Sequence, residues 1–208
     1  MAQEQAFSLA FEGSLPEELD VSAYLVDGPF GPAEEQPVSR PAVDEAVKTA
    51  VRKLLRFGGY KPSGRGRPAS ESLAKAVEDD RWPTIHPLVD SCNRLSLASG
   101  LPISVVDAGL LSPPLAIRLG HPGEEYVFNP SGQVLDVKGL LVLTDGQGPT
   151  GSPVKDAQRS KVSQGTERFL VVVWGTRAAE GATSLVCQGL EQWCGECQAP
   201  FRRVVVGR

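Results

Sequence analysis

The run "FLVVVWG", residues 169–175, constrains this chain more than any other stretch. A segment so apolar reads as a buried strand. What leads into it is the opposite: "VKDAQRSKVSQGT", residues 154–166, holds two lysines, an arginine, an aspartate, two glutamines and several hydroxyls. A long polar loop attached to a rigid strand is where binding groups tend to be placed, because the strand fixes position while the loop supplies chemistry. Lys155, Asp156, Gln158, Arg159, Ser160 and Thr166 are therefore site candidates.

The chain falls into two textures. After a strand-like "AFSLAF" and a proline- and glycine-rich passage, Pro41 opens a helical pattern with Val47, Val51, Leu54 and Leu55 on one face. A second, short helix carries Leu73, Ala76 and Val77, with Ser70 as its expected cap. A third carries Leu88, Val89, Cys92 and Leu95 and stops at Gly100. Beyond it, short apolar runs ("LPISVVD", "LAIRL", "EYVFN", "GLLVLTD", "RFLVVVWG", "RRVVVG") alternate with glycine, proline and polar turns. Helices first and strands afterwards read as α+β, with antiparallel or mixed sheets. Residues 1–40 read as a lead-in packed on the domain, 41–175 as its body, and 176–208 as an extension with a strand and a Cys-x-x-Cys.

The length of 208 residues and a 41% hydrophobic content fit one domain with a proper core. No stretch reaches the roughly 20 apolar residues of a membrane helix, and the first residues lack a secretory pattern, so a cytoplasmic protein with no membrane partner is expected. A formal net charge of −4 argues against coating nucleic acid through bulk charge, and no DNA partner is expected. Between Ala46 and Ser70, however, lie seven basic residues and no acidic one. Lys48, Arg52 and Arg56 recur every four residues, and Arg65 and Arg67 follow in "GGYKPSGRGRP". Such a patch fits either a partner bringing phosphates to one place or a solvated helix face followed by a cationic loop.

Several chemistries find no support. The glycines lack a lysine at a helix start, no Gly-x-Ser-x-Gly occurs, and two histidines supply a Ser-His-Asp triad poorly. "WCGEC" gives Cys194 and Cys197 the spacing of a redox pair or half a zinc site, but the other ligands of a metal site would have to come from far away in sequence. No metal and no cofactor are expected. "PLVDSCNRLSLASG" puts Asp90 and Asn93 near one helix face, and "IRLGHPGEEYVF" brings Arg118 and Glu124 together across a turn. Both have ordinary alternatives: a solvated helix face and a cross-strand ion pair.

Taken in order, "GGYKPSGRGRPASESL", "PTIHPLVDSCNRLSLASGLPISVVD", "AIRLGHPGEEYVF", "LVLTDGQG" and "PVKDAQRSKVSQGTERFLVVV" resemble the B3/B4 domain, the editing module of the bacterial phenylalanyl-tRNA synthetase beta subunit, and more closely its freestanding relatives. The resemblance runs from about Leu54 to Trp174. It implies a β-sandwich-like core of unusual topology flanked by helices, with a pocket that takes the 3′ end of a mischarged tRNA and hydrolyses the ester. It also implies that the chain does not charge tRNA. Carried over residue by residue, it puts Asp90 and Asn93 at the pocket, Arg118 and Glu124 on the family's Arg and Gly-Glu positions, and Thr166 on the threonine before the last strand. The chain departs from the synthetase in two places. Ser104 replaces a histidine, and Gln158 stands where a glutamate reads the tyrosine hydroxyl, so tyrosine is not carried over as the rejected amino acid.

An aminoacyl ester is already activated, so positioning water and stabilising the developing oxyanion suffice for hydrolysis. Asn93, Lys155 or backbone amides are the expected oxyanion donors and Asp156 the residue orienting water. Asp90, Ser104, Arg118, Glu124, Gln158, Ser160 and Thr166 would shape the substrate site. Lys48, Arg52, Arg56, Arg65 and Arg67 would meet the acceptor stem. The competing expectation is a non-catalytic module that binds RNA or an amino-acid-like ligand in the same pocket.

Overall fold

A computed structural model describes residues 7–31, 38–39 and 44–207. The expected helix start at Pro41 lies outside the described residues. Eleven strands and four α-helices occur among them. The chain runs β1 (Ser8–Phe11), β2 (Leu19–Asp27), α1 (Glu45–Arg56), α2 (Ala69–Glu78), α3 (Pro87–Ser99), β3 (Ile103–Asp107), β4 (Leu115–Leu119), β5 (Glu125–Val127), β6 (Val134–Asp136), β7 (Leu141–Asp145), β8 (Gly148–Gly151), β9 (Arg168–Thr176), α4 (Ala182–Glu196), β10 (Phe201–Arg203) and β11 (Val205–Gly207).

The architecture is α+β. One sheet has the order β11-β1-β4-β7-β8, a second β10-β2-β9-β3, and β5 with β6 forms a small hairpin. Most pairings are antiparallel; β1 runs parallel to both β11 and β4. The two larger sheets share one core, in which Leu9, Ile117, Leu141 and Leu143 from the first meet Leu25, Leu170, Val172 and Trp174 from the second. On the far face of the second sheet, Tyr24, Val105, Phe169 and Val171 pack against Leu88 and Cys92 of α3 and Cys187, Leu190 and Cys194 of α4. Strand β9 is thus buried on both faces, which is why its sequence shows no alternation.

The N-terminal segment is woven into both sheets: β1 joins the first, and β2 pairs with β9 along its whole length from Leu19 to Asp27. At the other end of the chain α4 covers the second sheet, and Gly175 marks how closely it does so. A Cβ there would lie 2.1 Å from the Thr183 hydroxyl and 2.5 Å from the Asp20 carbonyl.

Helix α1 is capped by the Asp44 side chain, which accepts from Ala46 N at 2.8 Å, and buries Ala50, Val51, Leu54 and Leu55. Helix α3 begins with Pro87 and ends at Gly100, whose φ of 80° supplies the left-handed cap that only glycine adopts freely. The expected Ser70 cap is not used. Helix α2 starts two residues earlier than such a cap would set it, directly after Pro68, so Ser70 lies inside the first turn and is buried. No helix among the described residues is long and apolar enough to cross a membrane.

Candidate functional site

The polar segment 154–166 divides its side chains between two tasks. Some of them tie it down. Arg159 makes a bidentate pair with the buried Asp145 at 2.7 and 2.9 Å. The Thr150 hydroxyl donates to Ser160 Oγ at 2.7 Å, and Thr166 Oγ1 donates to Asp107 Oδ2 at 2.6 Å. A short 3-10 turn, Gln158–Ser160, results. Lys155, Asp156 and Lys161 face a cavity.

That cavity, of about 520 Å³, lies between α2, α3, the edge strand β3 and the polar segment, which is bridged to β3 at Val106 and Lys161. Leu73 and Ala76 come from α2, Val89 from α3, Ile103 and Val105 from β3, and Phe128 from the chain after β5. The polar groups converging on these apolar walls include Asn93, Lys155, Asp156 and Lys161, with Arg81 and Asn129 beside them. A mostly apolar pocket of this size with few convergent polar groups has the form of a small-ligand site.

Asn93 projects from the middle of α3 and makes no hydrogen bond among the described residues, so its amide is free to serve a ligand. Lys155 lies with its ammonium 5.0 Å from the Phe128 ring centroid. Burial, together with the nearby charges of Lys161 and Arg67, lowers its pKa. Its backbone is fixed from below, because both Tyr126 OH and Ser152 Oγ donate to the Lys155 carbonyl. Asp156 comes next in the chain, and its Oδ1 is covered and has no hydrogen-bond partner. Burial pushes its carboxyl up to about 6, against the opposing pull of the Ser104 hydroxyl, neighbouring backbone amides and Lys161. A carboxylate with that value is ionised at neutral pH and still basic enough to take a proton.

The remaining residues named from the sequence lie elsewhere. Ser104 is 1% exposed, accepts from Trp174 Nε1 at 2.9 Å and donates to the Ser152 carbonyl at 3.2 Å, behind the cavity wall. Asp90 accepts from Ile85 N and so fastens the chain entering α3. Arg118 and Glu124 form a bidentate pair at 2.6 and 2.7 Å in the β4–β5 turn, and the guanidinium holds the Glu124 carboxyl down at about 2. Gln158, Ser160 and Thr166 are not among the lining residues, although Gln158 Oε1 is buried without a partner. Lys161, Arg81, Asn129 and Phe128 belong to the cavity and were not singled out from sequence. Lys161 carried a signal, since it lies in the same polar segment five residues after Asp156.

The basic stretch is less bare than its sequence. Lys48 pairs with Glu45, Lys53 with Glu18, and Arg52 makes a bidentate pair with Glu71 of α2 at 2.6 Å. Arg56, Lys61, Arg65 and Arg67 have no acidic partner among the described residues. Of the Cys-x-x-Cys pair, Cys194 is buried in the last turn of α4 and Cys197 is exposed at its end. Burial raises both thiols, Cys194 to about 11, the opposite of an activated thiolate. Among the described residues no group of three or more His, Cys, Asp or Glu side chains forms a candidate metal site.

Comparison with known proteins gives a family and a fold. A family model described as the B3/4 domain matches residues 61–183. An N-terminal fragment of the phenylalanyl-tRNA synthetase beta subunit from Pyrococcus horikoshii superposes with a TM-score of 0.59 at 12% identity, over 97% of this chain and 52% of that one. The chain thus spans about half of that fragment. No curated protein matches.

Proposed function

Because the chain belongs to the B3/4 domain family, we propose that it is a trans-editing hydrolase that deacylates mischarged aminoacyl-tRNA. One observation carries this reading: Asn93, Lys155 and Asp156 line a single cavity, where Asp156 keeps a covered, unpartnered oxygen and a carboxyl poised at about 6. In this reading the aminoacyl group enters between α2, α3 and β3, with its apolar part against Leu73, Val89 and Val105. Asp156 orients a water and accepts its proton as the water oxygen attacks the ester carbonyl. Asn93 donates an N–H to the carbonyl oxygen as it becomes an oxyanion, and the Lys155 ammonium adds a positive field. Collapse of the tetrahedral intermediate breaks the bond to the ribose oxygen, which recovers a proton from solvent or from Asp156.

The likeness to a tRNA synthetase subunit supports association with tRNA. The cations without acidic partners, Arg56, Arg65 and Arg67, are the proposed contacts to acceptor-stem phosphates, and Lys48 and Arg52 border the same face while committed to Glu45 and Glu71. A cytoplasmic site of action belongs to the same reading.

A kinetic split tests the roles. Asn93→Ala is expected to lower kcat for ester hydrolysis by about 100-fold, as expected for loss of one oxyanion donor, with KM nearly unchanged. An equal rate for the variant and the parent would remove Asn93 from the mechanism. Tight tRNA binding with no hydrolysis by the parent protein would favour a module that binds without catalysis.

A further inference from the structure

Three cations gather at or beside the cavity: Lys155, which supplies the positive field in the chemistry proposed above, Lys161, which has no role in it, and Arg67, which lines the neighbouring cleft between α1 and α2. The charges of Lys161 and Arg67 both act on Lys155, and the one carboxylate among the described residues lining the same cavity, Asp156, acts on Lys161. Lys155 and Lys161 are both half-buried and both line the cavity. Neither ammonium group forms an ion pair among the described residues, and the Arg67 guanidinium donates only to the Gly64 carbonyl, at 2.7 Å. By contrast Arg159, in the same segment, is fully matched by Asp145, and Arg52 by Glu71. Arg159 and Arg52 are thus matched by carboxylates, while Lys155, Lys161 and Arg67 form no ion pair among the described residues.

Holding like charges together, partly out of water, costs folding free energy. The arrangement is explained if an anion sits among them when the site is filled. We infer that Lys155, Lys161 and Arg67 form a phosphate-binding subsite at the cavity, which holds a phosphodiester of the nucleic-acid strand whose end enters the pocket. Two ammonium groups on flexible stems suit a phosphate as point charges and lack the planar fork that a carboxylate selects. Arg67 follows the glycine-rich turn Gly64–Gly66 and lines the cleft between α1 and α2 together with Lys48 and Arg52, so cations extend beyond the cavity onto that face. The identity of the strand rests on the deacylase reading; the preference for phosphate does not.

The test uses adenosine 5′-monophosphate and adenosine as probes on the full chain, titrated calorimetrically at two salt concentrations. The monophosphate is expected to bind at least 10-fold more tightly than adenosine, and Lys161→Met and Arg67→Met are each expected to weaken it 5- to 20-fold and to lower the salt slope by about one. The exposed Lys138→Gln, outside the cavity, serves as control. Removing an unpaired, half-buried ammonium is expected to raise the melting temperature of Lys161→Met, so lost binding is not mistaken for unfolding. Equal binding of adenosine and its monophosphate, or variants that bind like the parent, would overturn the subsite. So would tighter binding of a carboxylate such as free glutamate than of the monophosphate. Lysine-dependent phosphate binding without ester hydrolysis would leave the subsite standing and remove the deacylase; hydrolysis indifferent to Lys161→Met and Arg67→Met would do the reverse.

Discussion

Asp156, the proposed water-orienting residue, carries a cost. Its carboxyl ordinarily titrates at 3.8 and here at about 6. The folded state therefore resists its ionisation. The contribution to stability is whole below about 4 and is lost as pH rises through 6. Asp156→Asn is accordingly expected to be more stable than the parent at pH 8, by roughly 3 kcal/mol, with little difference at pH 4, while its deacylation rate drops at least about 100-fold. Chemical denaturation at the two pH values decides this; a variant less stable at pH 8 would contradict the burial. His86 works in the opposite sense. It lies 4.9 Å from the Phe169 ring centroid and 5.6 Å from that of Phe30, with Nδ1 buried and unpartnered, and burial lowers its pKa. The stability it contributes is present above its usual value near 6.5 and is lost as pH falls below it. His86→Phe is expected to flatten the fall in melting temperature between pH 7 and 5; an unchanged slope would mean that the imidazole charges freely in the folded protein. From the sequence alone, Asn93, Lys155 and Asp156 stood out through the polar segment and the family resemblance. What the sequence could not tell apart was polar groups aimed at the cavity and polar groups turned inward. Ser104, Ser160 and Thr166 have the residue types of a site and spend their hydroxyls on Trp174, Thr150 and Asp107.

At the scale of elements, the legible parts were those with one clean signal. The unbroken run of β9 and the periodic stripe of α3 with its Gly100 stop are of this kind. Strand β2 was read as part of a lead-in because "LDVSAYLVD" is bracketed by "LPEE" and "GPFGP", turn chemistry that hides a nine-residue partner of β9. Helix α4 is hidden in another way: Gly189 and Gly195 interrupt it, and the Cys-x-x-Cys masks the spacing of Val186, Cys187, Leu190 and Cys194, all buried, the last three in the cluster against the second sheet. Both glycines are unfavourable in a helix by about 1 kcal/mol each, and Gly189 has a use, since a Cβ there would lie 2.5 Å from the Leu95 side chain of α3. Gly175 is stricter, because its space is taken by Thr183 and a backbone carbonyl. Gly175→Val is expected to cost at least about 3 kcal/mol by prising α4 from the sheet. A melting temperature within a few degrees of the parent would show that the two elements separate without penalty.

For the whole molecule, an acidic protein offers a basic face by sorting its charges. Carboxylates of α1, α2 and the segment before β2 neutralise Lys48, Arg52 and Lys53, which leaves Arg56, Arg65 and Arg67, the proposed phosphate contacts, without acidic partners among the described residues. Arg56→Ala with Arg65→Ala is therefore expected to weaken tRNA binding about 10-fold and to reduce the dependence on salt by about two counterions. Arg52→Ala is expected to act mainly on stability through the lost Glu71 pair; an equal loss of salt dependence from both changes would contradict the sorting. The central claim, that the cavity under the 154–166 segment hydrolyses an aminoacyl ester, is tested most directly by one measurement. Correctly and incorrectly charged tRNAs are incubated with the parent protein, Asn93→Ala and Asp156→Asn at defined salt, and the surviving ester is counted. Selective loss of one mischarged species, abolished in both variants, is the expected result; no hydrolysis of any charged tRNA, or hydrolysis that survives both substitutions, would contradict it.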